Sequence, residues 1–223
     1  DAADFACTIS GSTVNVAFVA DPNYEIPTDA DTNNVYVVTV LIDDGTADDA
    51  NGATTLTITV ADVNDITPVY QAADADDAIS VNENVGTGSI DAGTITDADT
   101  VGTYDCTLGG ADAADFACTI SGSTVNVAFA ADPNYESPAD ADTNNVYVVT
   151  VLIDDGTADD ANGATTLTIT VADLNDEAPV FTSSSSVTTN EGSTTVVSLT
   201  ATDADAADSG GVDFAITTND NNL

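Results

Sequence analysis

Apolar and polar positions alternate in short runs along most of this chain. Val14, Val16 and Phe18 share one parity, as do Tyr36, Val38, Val40 and Ile42, and then Leu56, Ile58 and Val60, with Thr or Asn at many of the positions between. A period of two sends successive side chains to opposite faces of a strand, so each run predicts a strand with one buried face. None of the runs carries the 3.6-residue spacing of a helix. The last two flank Asn51-Gly52, a pair that favours the positive φ of a tight turn, although Asp43 to Ala50 make the whole loop longer than a minimal hairpin.

The pattern then recurs. Residues 1–65 repeat as 112–176 with changes only at Val19/Ala130, Ile26/Ser137, Thr28/Ala139 and Val63/Leu174. From Pro68 a second unit can be followed whole: Ile79 and Val81 in a first strand, the turn Asn82-Glu83-Asn84-Val85-Gly86, a second strand ending at Thr96-Asp97-Ala98-Asp99, and then the material already seen. About seven strands in about 110 residues predict a Greek-key β-sandwich of immunoglobulin-like size. A third unit opens the same way, with Asn190-Glu191-Gly192, the alternation Val197/Leu199/Ala201 and Thr202-Asp203-Ala204-Asp205, enough for about three strands.

The expected fold is therefore all-β, with tandem Greek-key sandwiches in an elongated rod. Residues 1–67 are the C-terminal part of one repeat, 68–178 a complete repeat, and 179–223 the N-terminal part of a third. Phe214 to Leu223 reads into Asp1 to Phe5 much as Tyr104 reads through to Phe116. The chain is thus expected to be a window on a longer array. A neighbouring copy, in the same polypeptide or in the next subunit, is expected to supply the strands that 1–67 lacks.

Charge changes the picture most. The chain has 39 Asp plus Glu and no Lys, Arg or His, for a formal charge of −39. Such a surface repels nucleic acid and anionic membranes, which are therefore expected to be poor partners. A 43% hydrophobic content separates it from disordered acidic chains. Without a basic side chain, the carboxylates must be solvated, hydrogen-bonded or held by cations from solution. Solubility, salt tolerance and resistance to proteases that need Lys or Arg account for the overall charge, but not for its clustering.

General bases and nucleophiles usually draw on His, Lys or paired Cys, and the acids here lie in short recurrent loops, so no enzyme is expected. No apolar run is long enough to span a bilayer. Cys106 and Cys118 flank the turn-like Leu108 to Asp112; they form either a cross-link in an oxidising compartment or two half-buried thiols. Cys7 is the counterpart of Cys118. Asp29-x-Asp31-x-Asn33 and Asp140-x-Asp142-x-Asn144 have the opening spacing of an EF-hand loop. Asn34 and Asn145 replace its Gly, and Val40 and Val151 replace its closing Glu, so polar turns are expected instead. Ser183 to Ser186 reads as a flexible linker.

The clustering is sharpest at two joints, Asp62-Val63-Asn64-Asp65-Ile66-Thr67-Pro68-Val69-Tyr70 and Asp173-Leu174-Asn175-Asp176-Glu177-Ala178-Pro179-Val180-Phe181. Each lies between two alternating runs, and its proline favours an extended exit. Further acidic loops recur at Asn23-Tyr24-Glu25, Asp44-Gly45, Glu83 and Asp97/Asp99. Loops of a Greek-key sandwich collect at its two ends, where successive repeats meet. Calcium takes 6 to 8 oxygens in irregular geometry, which loops can supply.

The two joints resemble the inter-repeat signature of the cadherin family. Asn82-Glu83-Asn84, Tyr24-Glu25, Asp97-Ala98-Asp99 and the run from Tyr36 to Asp44 resemble other cadherin signatures in order. Pro22-Asn23-Tyr24-Glu25 and Asn34-Val35-Tyr36 look like the cadherin-like repeats of prokaryotic surface proteins. The resemblance covers essentially the whole chain and implies three calcium ions at each joint. For the first joint it implies Asn23, Glu25, Asp62, Asn64, Asp65, Glu83, Asp97, Asp99 and Asp155 as ligands. For the second it implies Asn134, Glu136, Asp173, Asn175, Asp176, Glu177, Glu191, Asp203 and Asp205, while Asp44 would serve a preceding joint. This chain departs from the family at Asn23 and Asn134, where Asp is usual, and at Ile66 and Glu177, where Asn is usual. Ile66 offers no side-chain oxygen, so the first joint is expected to hold its third ion less well.

The implied function is a calcium-stiffened structural array in an extracellular filament, sheath or long surface protein, with neighbouring copies of the repeat as partners. The alternative is calcium-dependent cell adhesion through a homophilic cell-surface partner.

Overall fold

A computed structural model describes residues 1–46, 52–73, 78–205 and 211–217. Asn51 of the expected turn and residues 218–223 of the expected read-through lie outside the described residues. The chain forms two compact units: one comprises 1–69, 96–105 and 154–161, the other 70–95, 106–153 and 162–223.

In the first unit, β1 (Phe5–Ser10) and β2 (Thr13–Phe18) form an antiparallel hairpin. Gly11 at its tip has φ 64°, a conformation glycine adopts without a Cβ penalty. A second antiparallel pair joins β3 (Val35–Val40) to β4 (Thr54–Thr59). Period-two alternation places Phe5, Phe18 and Tyr36 in one cluster, with ring centroids 4.5 Å apart for the two phenylalanines and Tyr36 edge-on at 5.8 and 5.1 Å. Asp29 is buried and accepts from the backbone N–H groups of Asn33 (2.8 Å) and Asn34 (3.3 Å), which makes the Asp29-x-Asp31-x-Asn33 stretch the polar turn expected of it.

The second unit holds a full sandwich. Its strands are β5 (Val69–Gln71), β6 (Ala78–Asn82), β7 (Ser89–Thr96), β8 (Asp105–Gly109), β9 (Phe116–Ser121), β10 (Thr124–Phe129), β11 (Val146–Asp154) and β12 (Thr165–Ala172). One four-stranded sheet runs β5-β7-β10-β9 and the other β6-β12-β11-β8, so the chain crosses between sheets repeatedly, as a Greek key does. β6 pairs with β12 in parallel, with Asn82 opposite Ala172.

Alternation along β10, β11 and β12 turns Val125, Val127, Phe129, Tyr147, Val149, Val151, Ile153, Leu167, Ile169 and Val171 into the core. Each such side chain, fully buried, contributes about 1.5 to 3 kcal/mol. Gly93 on β7 leaves room for the Tyr70 ring, since a Cβ there would lie 2.4 Å from it. The Tyr70 hydroxyl donates to buried Asp91 at 2.7 Å and holds the edge strand β5 in place.

Cys106 on β8 and Cys118 on β9 form a disulfide. It ties the edge of one sheet to the edge of the other. Loop-closure entropy for a separation of 12 residues predicts that Cys106→Ser, or reduction, lowers the sandwich's stability by about 3 kcal/mol. Denaturant melts with and without reductant check this, and coincident melts would refute it.

Two strand expectations are corrected. The run 36–42 stops at Val40 in β3, whereas the same sequence continues to Asp154 in β11. β11 has strand neighbours on both sides and β3 has β4 alone, so the last residues of the run have no ladder to join. The third repeat's strands reduce to β13 (Val180–Phe181) and β14 (Ala201–Thr202), which pair with each other, and most of the alternation before Ala201 lies outside any strand. A two-residue pair without a covering sheet cannot extend the ladder.

Candidate metal centre

The first unit brings four segments together, the loop after β2 contributing Glu25. The stretch after β4 carries Asp62, Asn64 and Asp65, the loop after β7 carries Asp97 and Asp99, and the loop after β11 carries Asp155. Glu25, Asp62 and Asp99 offer carboxylate oxygens within 4.8 Å of one another, and so do Asp97, Asp99 and Asp155. Asp99 belongs to both groups and is buried.

Asp99, Asp62 and Asp155 each use one oxygen to hold the backbone. Asp99 Oδ2 accepts from the N–H groups of Asp65 (3.0 Å) and Ile66 (2.8 Å). Asp62 Oδ2 accepts from the Thr100 N–H (2.6 Å) and its hydroxyl. Asp155 Oδ1 accepts from Thr157 N–H (2.8 Å), its hydroxyl (2.9 Å) and Ala158 N–H (2.9 Å). Asn64 Nδ2 donates to the Asp155 carbonyl at 2.9 Å. This leaves Glu25 Oε1, Asp62 Oδ1, Asn64 Oδ1, Asp99 Oδ1 and Asp155 Oδ2 buried without a hydrogen-bond partner. Buried carboxylate oxygens in that state carry a large desolvation cost unless a cation meets them. Because the chain has no basic side chain, the donor set fits a hard cation.

The second unit repeats the arrangement with different acids. Glu83, Glu136 and Asp173 converge within 4.8 Å, as do Glu136, Asp176 and Glu177. Both carboxylate oxygens of Glu136 are buried without a partner. Glu83 is buried, accepting from Leu174 N–H through Oε1 and from Tyr135 N–H through Oε2, both at 2.8 Å. Asp176 accepts from the Asn84 side-chain amide. Asp205 accepts from Glu177 N–H at 3.0 Å, and Asp203 from Asp205 N–H at 3.2 Å.

The placements differ from the sequence expectation at several residues. Glu83 sits with Glu136 and Asp173, not in the first joint's set. The parallel β6–β12 pairing explains this, because Asn82 opposite Ala172 puts Glu83 beside Asp173. Glu191, its counterpart, is exposed and in none of the acidic groups among the described residues. The Asn23 and Asn134 side-chain oxygens accept from the N–H groups of Ile26 (2.7 Å) and Ser137 (2.6 Å), closing their own turns. Asp44 accepts from Thr46 through N–H (2.9 Å) and hydroxyl (2.7 Å), and Asn175 is exposed. Sequence reasoning missed Thr100, which orients Asp62, and Tyr104, whose hydroxyl donates to Asp97 at 3.2 Å. The threonine directly after Asp97-Ala98-Asp99 was the available signal.

No protein-family model matches the chain. Cadherin-23 of Mus musculus is 30% identical over 222 residues, 95% of this chain, and the chain spans 6% of that relative's length. Among solved structures, human CDH23 EC21-23 superposes with a TM-score of 0.56 at 22% identity, covering 91% of this chain and 62% of that one. The Protocadherin gammaB7 EC3-6 cis-dimer structure gives the same TM-score and identity over 91% of this chain and 46% of its own. The chain is built of cadherin-like repeats.

Electrostatics at these cadherin-like repeats shows acids crowded against one another. Burial raises the Glu136 carboxyl above its usual value, and the charges of Glu83, Asp173 and Asp176 add to the rise. Burial also raises Asp205, against the Glu177 N–H and together with Asp203, Asp176 and Asp173. Glu25 is drawn down by its own backbone N–H, but desolvation and the charges of Asp65, Asp99 and Asp62 outweigh that and raise it. Asp62 is held low, first by the Thr100 hydroxyl and despite its burial.

A carboxyl raised in the folded state binds its proton more tightly there than in the unfolded chain. Its stabilising contribution is complete below the ordinary glutamate value of 4.5 and is lost as pH rises through the raised folded value. In chelator, the repeat is therefore expected to melt at lower temperature as pH rises from about 4.5. Glu136→Gln is expected to flatten that slope while weakening metal binding. Melting curves in chelator across this range test the sign, and a slope unchanged by the substitution would refute it.

Proposed function

We propose that this chain is part of a calcium-stiffened structural array of an extracellular filament, sheath or long surface protein, with repeats at 1–67, 68–178 and 179–223. The observation that carries the reading is the set of buried, partnerless oxygens from Glu25, Asp62, Asn64, Asp99 and Asp155 in a chain without a positive side chain. Glu25, Asp62, Asn64, Asp65, Asp97, Asp99 and Asp155 would hold calcium in the first unit. Glu83, Glu136, Asp173, Asp176 and Glu177 would do so in the second, with Asp203 and Asp205 beside them.

What the ion supplies is charge neutralisation. A pair of carboxylates about 4 Å apart repels by roughly 1 to 4 kcal/mol, depending on the effective dielectric. With the repulsion cancelled, this chain's own hydrogen bonds decide the geometry: Asp99 ties the segment 65–66 to its loop, and Asp155 tightens 155–158. Ile66 gives the first cluster only a backbone N–H, whereas Glu177 adds a carboxylate to the second, so the second should bind the larger ion complement.

The setting is extracellular, at the cell surface. The Cys106–Cys118 disulfide belongs to an oxidising compartment, and the relatives with this repeat are cadherins. A second reading, calcium-dependent adhesion by pairing with its own kind, is favoured by the likeness to a protocadherin solved as a cis-dimer.

Calorimetric calcium titration with small-angle scattering in calcium and in chelator tests the main reading. Binding is expected at both clusters, with a stiffer, more protease-resistant particle in calcium. Identical scattering and protection in the two buffers would sink it. Negative-stain microscopy separates the two jobs: filaments support the structural one, and calcium-dependent cell clumping without filaments supports adhesion.

A further inference from the structure

The turn after β6, Asn82-Glu83-Asn84-Val85-Gly86, has a counterpart in the third repeat at Asn190-Glu191-Gly192. Both bend through a left-handed residue at the same place, Asn84 with φ 58° and Gly192 with φ 84°. Glycine enters that region without a Cβ penalty, and asparagine is one of the few other residues that visit it. The backbone at position 84 therefore needs no side chain. What Asn84 adds to the turn is an amide, and the amide donates to Asp176 Oδ2.

The contact lies within a splint. Glu83 Oε1 accepts from Leu174 N–H and Oε2 from Tyr135 N–H, both at 2.8 Å. Asn84 N–H donates to the Pro133 carbonyl at 3.1 Å, and Gly86 N–H donates to Asp132 Oδ1. These bonds fasten the turn to the loop after β10, which carries Glu136, and to the backbone at Leu174. They do not reach the side chain of Asp176, which is an exposed residue grouped within 4.8 Å of Glu136 and Glu177. Like charges that close repel, and an exposed carboxylate relieves the repulsion by turning into solvent. The Asn84 amide opposes that turn.

We propose that Asn84 is a positioning residue of the second cluster, whose amide holds Asp176 beside Glu136 and Glu177 before an ion arrives. This deepens the calcium reading and rests on it. One Asp176 oxygen is taken by the amide and the other is left for the cation, so binding does not first have to order the side chain. A lysine in the same place would bring a competing charge. The neutral amide steadies the carboxylate and leaves its attraction for calcium intact.

The test is Asn84→Gly, which gives the turn the residue that the third repeat carries at position 192. Calorimetric calcium titration should show the second cluster weakened by about 10 to 100-fold, the usual loss for an orienting partner of a metal ligand, with the first cluster unchanged. In chelator, hydrogen exchange resolved by peptide should quicken over residues 174–177 while protection in β11 and β12 stays as it was. Loss of protection in those two strands overturns the proposal, because the amide would then hold the fold and not the site.

A double-mutant cycle with Asp176→Ala separates positioning from turn geometry. If Asn84 acts through Asp176, Asn84→Gly should change calcium affinity less than 2-fold once Asp176 is gone. A full additional loss in that background overturns the proposal. Titration of the unaltered chain keeps the two claims apart: no binding there defeats the calcium reading, whereas binding that Asn84→Gly leaves untouched defeats this inference alone.

Discussion

Replacing Ile169 by Ala is expected to destabilise the 68–178 sandwich by about 2 to 5 kcal/mol, whereas Ile58→Ala should cost on the order of 1 kcal/mol or less. The two isoleucines occupy the same place in the duplicated sequence, so chemistry and strand propensity are held constant. Only the surroundings differ. Ile169 is fully buried between two four-stranded sheets, and truncation leaves a cavity there. Ile58 is half-buried on a two-stranded sheet, where water fills the space at little cost. Hydrogen exchange resolved by peptide under rising denaturant measures both sites in one molecule and avoids assuming a single transition. Equal losses at the two positions would mean that the two copies are packed alike.

Calcium binding by the first cluster is expected to fall on the order of 100-fold or more in Asp99→Ala, since even orienting groups around a metal are worth 10 to 100-fold. Asp99 stands in both acidic groups of that cluster, and its Oδ2 also fixes Asp65 and Ile66. The substitution therefore removes charge, a donor oxygen and the anchor of the neighbouring segment together. Asp205→Ala, at the counterpart position in the third repeat, should weaken the second cluster and spare the first. Calorimetry on the three chains decides. If Asp99→Ala left the number and strength of sites unchanged, these oxygens would not be ligands.

Much of the fold could be read from particular residues. Val125, Val127 and Phe129 alternate strictly, and each is buried. The motif of Asp62, Asn64 and Asp65 does meet Asp97, Asp99 and Asp155 in one place, because strand ends of a sandwich deliver their loops to a common end. Glu83, implied at the first joint, lies instead with Glu136 and Asp173, since its neighbour depends on a parallel pairing between β6 and β12, segments far apart in sequence. The Asn23 oxygen, implied as a ligand by the resemblance, closes the turn to Ile26, a local hydrogen bond that residue type does not announce. The strands expected in 179–223 were over-read at Val197 and Leu199. Period two measures which face a strand would bury, and the sheet that would bury it is absent among the described residues.

The repeat itself, its strand alternation, the total lack of positive charge and the acidic joints are properties of the sequence alone, because they follow from residue order and chemistry whatever the surroundings. Which acids share a cluster, whether Cys106 meets Cys118, and whether an isoleucine is core or surface were decided only by tertiary structure. The duplicated segment gives the physical reason. Near-identical residues bury fully in one copy and half in the other, since burial and pairing depend on the strands that arrive from elsewhere in the chain.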